Sequence, residues 1–515
     1  MFACAPRRPG ADRIDRRIST SENGESGRGS ARIIRSMDLN ADSCYRALTT
    51  HDARFDGRFF VGVSSTRIYC RPVCTVRTPR RENCHFFVSA AAAEVEGYRP
   101  CMRCRPELAP GMASVDATAR LAQAAVQLIE NGVLEEGGIE HLAQRIGVTS
   151  RHLRRVFFAE FGVAPIDYAQ TQRLLLAKRL LTDTMLPVTD IALASGFQSV
   201  RRFNALFKAR YRMAPLRLRK SRVPGGLPDA LAFELAYRPP YAFDSLLAFL
   251  RDRAIPGVET VSASGYRRAL ALEHRGVRHE GWVDVRRTAR KAALAVALST
   301  SFARVIPLAL ARVRNVFDLG CDPVEIDAHL GTLAAAHPGL RVPGAFDGFE
   351  LAVRAIVGQQ ISVRAARTLL GRLAEAHGMP FRGAAGTGLT RMFPMAAELA
   401  DAGAERIAQC GVTPARARTL TTLAVAVARG ELALDPGSDV DATLERLQAL
   451  PGVGPWTASY IAMRALRWPD AFLANDLIVL RAMNETRPAR ALARSEAWRP
   501  WRAYAVMHLW KGASE

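Results

Sequence analysis

Four cysteines in this sequence stand in two close pairs, Cys70-Arg-Pro-Val-Cys74 and Cys101-Met-Arg-Cys104, with 26 residues between them. Two tight turns that each offer a pair of thiolates suit tetrahedral Zn2+. Such a site can be closed and purely structural, or it can present a reactive sulfur, and the spacing alone leaves both open. Far downstream, Leu450-Pro-Gly452-Val-Gly454-Pro-Trp456-Thr-Ala458 forms a glycine-rich turn between helical patterns. Gly452 and Gly454 would let backbone N–H groups meet a DNA phosphate at a helix N-terminus, although turns of this kind also join purely structural helices.

These groups need elements to hold them. From Val115 to about Arg219 apolar residues recur every three or four positions, the helical period. Within that stretch Ile139–Phe157 and Val188–Phe207 share one pattern. Ala143 and Ala192 stand 49 residues apart, and each is followed four residues later by a glycine, Gly147 or Gly196, and then by a polar, Arg-rich helix. The small alanine lets two helices approach and the glycine supplies the turn between them. Arg151, Arg154, Arg201 and Arg202 are therefore candidate groove or phosphate contacts, with a solvated helix face as the alternative for each. Residues 38–112 carry short apolar runs with proline punctuation, and the Pro/Gly segment Val223–Pro228 marks a linker. Strand-like and helical patterns alternate over 229–320, with a strand at Leu231–Tyr237 and a helix at Phe243–Ala254, and from Asp322 onward the pattern is almost wholly helical. Residues 1–36 are rich in Arg, Ser and Gly, lack apolar periodicity and are expected to be a disordered or untranslated tail, with Met37 a candidate start codon.

Composition narrows the partner. The chain has 515 residues and a formal net charge of +22, enough length for three or four domains with real cores. No apolar run reaches the roughly 18 residues of a membrane span. Nine cysteines are too few for a disulfide scaffold of this size and point to a reducing compartment. The cation excess fits nucleic acid or an anionic membrane surface, and the lack of an amphipathic or lipidated anchor favours nucleic acid. Of the 71 basic residues only five are Lys, so the Arg excess has two candidate sources, genome base composition and function.

Three family resemblances give these elements a meaning. Phe59-Phe-Val-Gly-Val-Ser-Ser-Thr-Arg-Ile-Tyr-Cys70-Arg-Pro-Val-Cys74, Arg81-Glu-Asn-Cys-His-Phe-Phe87 and Tyr98-Arg-Pro-Cys101-Met-Arg-Cys104 together resemble the Ada methylphosphotriester-acceptor domain. The resemblance implies one Zn2+ on Cys70, Cys74, Cys101 and Cys104, with Cys70 taking a methyl group from a DNA phosphotriester. The doubled motif, with a connecting helix near Tyr168–Leu181 and Phe161-Gly-Val-Ala-Pro165 answered by Tyr211-Arg-Met-Ala-Pro215, resembles the AraC-type DNA-binding domain. The hairpin, followed by Asp476 20 residues after Trp456, resembles the helix-hairpin-helix DNA glycosylase superfamily, and within it the AlkA-type glycosylases for alkylated purines. Tyr237-Arg-Pro-Pro-Tyr241, Gly358-Gln-Gln-Ile-Ser-Val and Trp498-Arg-Pro-Trp501-Arg-Ala-Tyr-Ala-Val-Met-His-Leu-Trp510 add to the match.

That last resemblance implies that Asp476 is catalytic; its local reading, an N-cap of the helix that follows, applies to the same residue. It also places Trp456, Tyr460 and Trp510 around a flipped base, with Phe249 as a further wall for which core packing is the stronger alternative. Gln360 stands where the family carries an apolar wedge. A Schiff-base Lys is replaced by Trp456, and no Lys occurs between Lys291 and Lys511, which implies base excision without strand cleavage. The Pro-Cys-His-Arg acceptor motif of O6-methylguanine methyltransferases is absent.

The sequence thus predicts a multidomain, mainly α chain. After the tail 1–36 come a small α/β zinc domain over 37–112 and an all-α double helix-turn-helix over 113–222. An α+β AlkA-type N-terminal domain over 229–320 and an all-α helix-hairpin-helix glycosylase domain over 321–515 complete it. The expected partner is double-stranded DNA, at damaged sites and promoter operators. The expected state is a monomer, cytoplasmic and nucleoid-associated in a bacterium, without membrane contact. The competing expectation is a methylation-switched transcriptional activator whose glycosylase half serves only as a DNA-binding platform.

Overall fold

A computed structural model describes residues 41–109, 117–130, 132–184, 186–219, 230–274, 276–382 and 387–513. The expectations for residues 1–36, for Met37 and for the linker 223–228 lie outside the described residues. No helix among the described residues is long and apolar enough to cross a membrane.

The first module is built around the cysteine pairs. It comprises α1 (Ala41–Thr49), β1 (Phe60–Val63), β2 (Ile68–Cys70), β3 (Cys84–Phe87), α2 (Ala90–Val95) and β4 (Arg99–Pro100), with the strands in the order β3-β1-β2-β4. β1 pairs antiparallel with β2 and β3, whereas β2 and β4 run parallel, with Tyr69 opposite Pro100. Parallel neighbours need a crossover of a dozen or more residues, and the 26 residues between the cysteine pairs supply it, carrying β3 and α2. Their return places Cys101 beside Cys70, because the Cys101 N–H donates to the Tyr69 carbonyl at 3.0 Å. Ser89 caps α2 by accepting from the Ala92 N–H at 3.0 Å.

Six helices follow: α3 (Ala117–Glu130), α4 (Val133–Ile146), α5 (Ser150–Phe161), α6 (Pro165–Asp183), α7 (Val188–Ala194) and α8 (Val200–Tyr211). The repeat seen in the sequence becomes two copies of one hairpin. Ala143 and Ala192 are buried where the helices meet, and Gly147 and Gly196 both take φ +80°, a left-handed turn open to glycine. Thr149 and Ser199 then cap α5 and α8, accepting from the N–H of His152 at 3.2 Å and of Arg202 at 3.3 Å.

The third module is a five-stranded antiparallel sheet in the order β5-β9-β8-β7-β6. It is formed by β5 (Ala230–Ala236), β6 (Glu259–Val261), β7 (Gly265–His274), β8 (Val277–Arg287) and β9 (Ala293–Ser299), with α9 (Phe243–Arg253) inserted after β5. Alternation fixes the faces: Leu231, Phe233 and Leu235 of β5 join Val283, Val285, Leu294, Val296 and Leu298 in one core. That core also takes in Leu174, Leu180 and Phe203 of the helix-turn-helix unit and Leu310 and Val313 of α10 (Ile306–Val316), so the two modules share apolar packing.

The remainder is helical: α11 (Pro323–Leu330), α12 (Gly348–Val357), α13 (Val363–His377), α14 (Ala396–Gln409), α15 (Pro414–Ala428), α16 (Val440–Ala449), α17 (Pro455–Arg464), α18 (Leu477–Ala482), α19 (Pro488–Ser495) and α20 (Arg502–Gly512). A buried ion cluster ties this part to the sheet. Arg268 reaches Glu350 at 2.7 Å, and Arg354 reaches both Glu259 at 2.7 Å and Glu350 at 2.6 Å. Burial would raise the Glu350 carboxyl, yet Arg268 and Arg354 hold it down to about 2.

Candidate functional site

The sulfur cluster comes first in the chain. The Sγ atoms of Cys70, Cys74, Cys101 and Cys104 all lie within 4.8 Å of one another. Cys70, Cys74 and Cys101 are buried and Cys104 is partly exposed. Backbone N–H groups turn inward: Arg71 N–H donates to Cys104 Sγ and Arg103 N–H to Cys101 Sγ, each at 3.4 Å. Hydrogen bonds from Cys101, Cys104 and Cys74, together with burial, push the Cys70 thiol far up. The same contacts, led by Cys104, pull Cys101 far down. Sulfurs this close cannot all ionise without a shared cation, and the donor set, its compactness and its inward N–H groups fit one Zn2+. Outside the cluster, the Arg71 guanidinium is bonded to Asp56 (Nε–Oδ1 2.8 Å) and to the Cys104 carbonyl at 3.2 Å. Cys84 lies in β3 with its Sγ 3.3 Å from the Arg80 carbonyl, away from the cluster.

Arg151 and Arg154 on α5 and Arg201 and Arg202 on α8 are all exposed, early in the second helix of each hairpin. Arg154 lies 3.7 Å from Glu140, an exposed pair worth little in water.

The carboxy-terminal site is assembled from α9, α17, α18 and α20 around a cavity of about 560 Å3. Asp476 caps α18. Its Oδ1 accepts from the N–H of Ile478 at 3.0 Å, of Val479 at 2.9 Å and of the Trp510 indole at 3.2 Å, and Oδ2 accepts from the Trp456 indole at 2.9 Å. The N-cap role and a place in the cavity wall therefore belong to one residue. Trp456, Tyr460 and Arg464 stand at i, i+4 and i+8 on one face of α17. Trp456 and Tyr460 stack, with centroids 5.2 Å apart and planes 8° apart. Phe249 stacks on Trp510 at 6.4 Å and 15°, so it lines the cavity as well as packing on the core.

Two guanidiniums that the sequence reading did not single out complete the cavity. Arg253, one turn after Phe249 on α9, lies 3.7 Å from the Phe249 centroid, and Arg464 lies 5.0 Å from it. Arg464 donates to the Tyr460 hydroxyl at 2.5 Å. Burial would raise the Tyr460 phenol, but Arg464 and Arg253 outweigh it and bring it below its ordinary value. The i, i+4 spacing from Phe249 and Tyr460 is the sequence signal that could have found both.

The hairpin between α16 and α17 has one glycine that is required and one that is open. Gly452 takes φ +87°, and a Cβ there would stand 2.8 Å from Thr419 Oγ1. Gly454 has φ −88° and nothing within 4 Å of an added Cβ, so the space where a side chain would stand is open. Gln360 is exposed at the turn after α12, with φ +55°. Its neighbour Gln359, also missed in the sequence, ties that turn to the hairpin: Nε2 donates to the Gly452 carbonyl and to Thr457 Oγ1, both at 2.9 Å. Gln360 and the hairpin are thereby held in one surface beside the cavity.

Four family profiles match in chain order. They are the metal binding domain of Ada over residues 43–107, a helix-turn-helix domain over 142–221, the AlkA N-terminal domain over 232–347, and the HhH-GPD superfamily base excision DNA repair protein over 353–502. A protein of Mycobacterium tuberculosis named as a probable bifunctional transcriptional activator/DNA repair enzyme AlkA is 39% identical over 490 residues, 92% of this chain and 97% of that one. The DNA-3-methyladenine glycosylase 2 of Escherichia coli is 37% identical over 287 residues, 54% of this chain and 96% of that one. The bifunctional transcriptional activator/DNA repair enzyme AdaA of Bacillus subtilis is 30% identical over 200 residues, 38% of this chain and 92% of that one. With a zinc-type sulfur cluster, a doubled helix-turn-helix and a capped aspartate in an aromatic cavity, the chain belongs to the family of Ada–AlkA fusions, whose carboxy-terminal half is a DNA glycosylase of the HhH-GPD superfamily.

Proposed function

We propose that the chain is a DNA alkylation repair and response protein in which Asp476 excises alkylated purines of the 3-methyladenine type and Cys70 accepts methyl groups from DNA phosphotriesters. The observation that carries the first half is the Asp476 carboxylate, fixed by four N–H donors in the wall of an aromatic cavity. A 3-methyladenine carries positive charge, which weakens its glycosidic bond, so the enzyme need not activate the leaving group strongly. Trp456, Tyr460, Trp510 and Phe249 attract the flipped cation through their ring faces, an effect of roughly 0.5–2 kcal/mol. Arg253 and Arg464 oppose that charge. As the C1′–N bond breaks, its electron pair goes to the base, which leaves neutral, and the opposition is relieved in the transition state. Asp476 stabilises the positive charge that moves onto the sugar and orients the water whose oxygen bonds to C1′, the proton passing through the carboxylate to solvent. Gly452 and Gly454 hold a phosphate beside the lesion and Gln360 fills the vacated stack. With Trp456 where a Schiff-base Lys would stand, the strand is left uncut.

At the other centre, Cys70 uses a sulfur lone pair to bond the methyl carbon of a phosphotriester. The C–O bond breaks with its pair going to the phosphate oxygen, leaving an ordinary diester and a thioether. When bound, Zn2+ keeps the four sulfurs as thiolates at neutral pH. No step regenerates the thiolate, so each molecule acts once, and the centre loses one negative charge that would repel DNA. Arg151, Arg154, Arg201 and Arg202 would then engage an operator as a monomer.

Release of free 3-methyladenine from alkylated DNA tests the reading. Wild type releases the base and Asp476→Asn does not. Release by wild type no faster than spontaneous loss would leave the activator with a DNA-binding platform, and equal release by both above that rate would take the catalysis away from Asp476. For the acceptor, peptide mass spectrometry after exposure to methylphosphotriester DNA places the methyl on Cys70. A methyl on Cys104, the most exposed of the four, would reassign the acceptor, and none on any cysteine would leave a structural zinc site.

A further inference from the structure

The rim of the excision cavity is apolar where a protein surface is ordinarily polar. Helix α18 opens Leu477-Ile478-Val479, directly after Asp476. Leu477 is 70% exposed, the highest value among the large apolar side chains of the described residues. It stands between two residues of the cavity lining, Asp476 and the exposed Ile478. On a second wall, α13 opens on Val363, which is also exposed, lines the same cavity and follows Gln360 by three residues. A single exposed leucine is ordinary. Three exposed branched side chains beside one cavity mark a contact surface.

Leu477 is presented from a stiff support. The Asp476 carboxylate holds the N–H groups of Ile478 and Val479, and Val479 and Leu480 are buried in the core beneath. Helical side chains lean toward the N-terminus of their helix, so Leu477 leans toward the Asp476 end of α18. Cations flank the apolar rim: Arg481 stands one turn after Leu477 on the same face and Arg364 follows Val363, both exposed. Apolar side chains set among guanidiniums complement a duplex, which offers phosphates at its edges and apolar base faces where a step is opened.

We propose that Leu477 is a second wedge of the excision site, packing on the lesion strand beside the flipped nucleotide and holding that nucleotide out over Asp476. This rests on the reading of Asp476 as the excising residue and deepens it. Consecutive Cα atoms are about 3.8 Å apart, so the residue next to a carboxylate that faces C1′ meets the same nucleotide or its neighbour. Flipping costs the stacking of the bases it separates, and apolar contact with the uncovered faces offsets that cost. Gln360 fills the vacated stack with a polar side chain, which can hydrogen-bond the estranged base but covers apolar faces poorly. Leu477 supplies the apolar contact from the α18 wall.

A duplex carrying 2-aminopurine next to a tetrahydrofuran abasic site tests this, because the probe brightens when it unstacks and the site has no base to release. Titrated with the full chain, the probe is expected to brighten on binding wild type. Leu477→Ala is expected to bind about tenfold more weakly, equivalent to about 1.4 kcal/mol, and to leave most of the brightening undone at saturation. It should also slow single-turnover release of 3-methyladenine about tenfold, with the thermal midpoint unchanged because the side chain is exposed. Leu477→Met keeps an apolar side chain of similar volume and is expected to restore brightening and release, whereas the polar Leu477→Gln is not. Brightening and release at wild-type levels in Leu477→Ala or in Leu477→Gln overturn the proposal. So does a loss in Leu477→Ala that comes with a fall in the thermal midpoint or that Leu477→Met shares. No release of 3-methyladenine by wild type overturns it together with the excision reading, so the wild-type release tells the two failures apart.

Discussion

Trp456→Phe isolates one hydrogen bond at the excision site. Asp476 Oδ2 accepts from the Trp456 indole at 2.9 Å, whereas Oδ1 holds two backbone N–H donors and the Trp510 indole. Phenylalanine keeps an aromatic ring on the face of Tyr460, which Trp456 stacks at 5.2 Å, but has no donor. A hydrogen bond to a charged group contributes about 1.5–3 kcal/mol, so losing the bond at Oδ2 is expected to slow single-turnover excision about ten- to hundredfold. DNA affinity should change by less than about threefold, because the lost interaction acts on the carboxylate and not on the strand. Trp510→Phe removes a longer bond, 3.2 Å, from an oxygen that keeps two other donors, so its effect should be the smaller of the two. In an Asp476→Asn background, Trp456→Phe should add little, since no charged oxygen is left to hold. The assay is quenched-flow release of 3-methyladenine with enzyme in excess over alkylated duplex. An unchanged rate in Trp456→Phe, or full additivity with Asp476→Asn, would refute the view that the indole fixes the catalytic oxygen.

Three other expectations follow from particular contacts. Gly452→Ala meets Thr419 Oγ1 at 2.8 Å and sits at φ +87°, so it should lower the thermal midpoint, whereas Gly454→Ala should fold normally and weaken only binding to abasic duplex at fixed salt. Lys511 lines the same cavity as Asp476, yet borohydride should trap no covalent complex with DNA; trapping that vanishes in Lys511→Arg would show a strand-cleaving activity. Burial pushes the Glu94 carboxyl up to about 7 despite Arg210, Tyr69, Thr171 and Lys178. Its folded form therefore binds a proton more tightly than its unfolded form, and stability falls as pH rises from the ordinary value of 4.5 to about 7, by about 3 kcal/mol. Glu94→Gln lacks this loss, so urea unfolding should show it gaining on wild type between pH 5 and pH 8; parallel curves would contradict the assignment.

Sequence-local features were the legible ones. The cysteine pairs, the twin Ala/Gly turns and the hairpin glycines are set by spacing along the chain, and the structure gives each a local cause: a parallel strand return, a left-handed turn, a close approach to Thr419. Asp476 was legible as a cap from its local sequence, and as a candidate catalytic residue through the family resemblance that its pairing with Trp456 carries; the structure places it as the cap of α18 with its carboxylate bonded to Trp456. What escaped depends on partners far apart in sequence. Arg253 and Arg464 meet over Phe249, Gln359 reaches the hairpin across 93 residues, and Lys178 reaches Cys101 across 77. Each looks locally like an ordinary residue of a helix or turn, and only tertiary packing assigns it a neighbour. Phe249 shows the limit from the other side: a core role and a cavity role are not alternatives when the side chain lies between the two.

One measurement tests the central claim, that a single chain runs two separable repair chemistries. Wild type, Cys70→Ala and Asp476→Asn are each given the same methylated duplex, and released 3-methyladenine and methyl bound to protein are counted in the same tube. The account predicts that Asp476→Asn takes up one methyl and releases no base, while Cys70→Ala releases base and takes up no methyl. Base release by Asp476→Asn at the wild-type rate, or methyl uptake undiminished in Cys70→Ala, would contradict it.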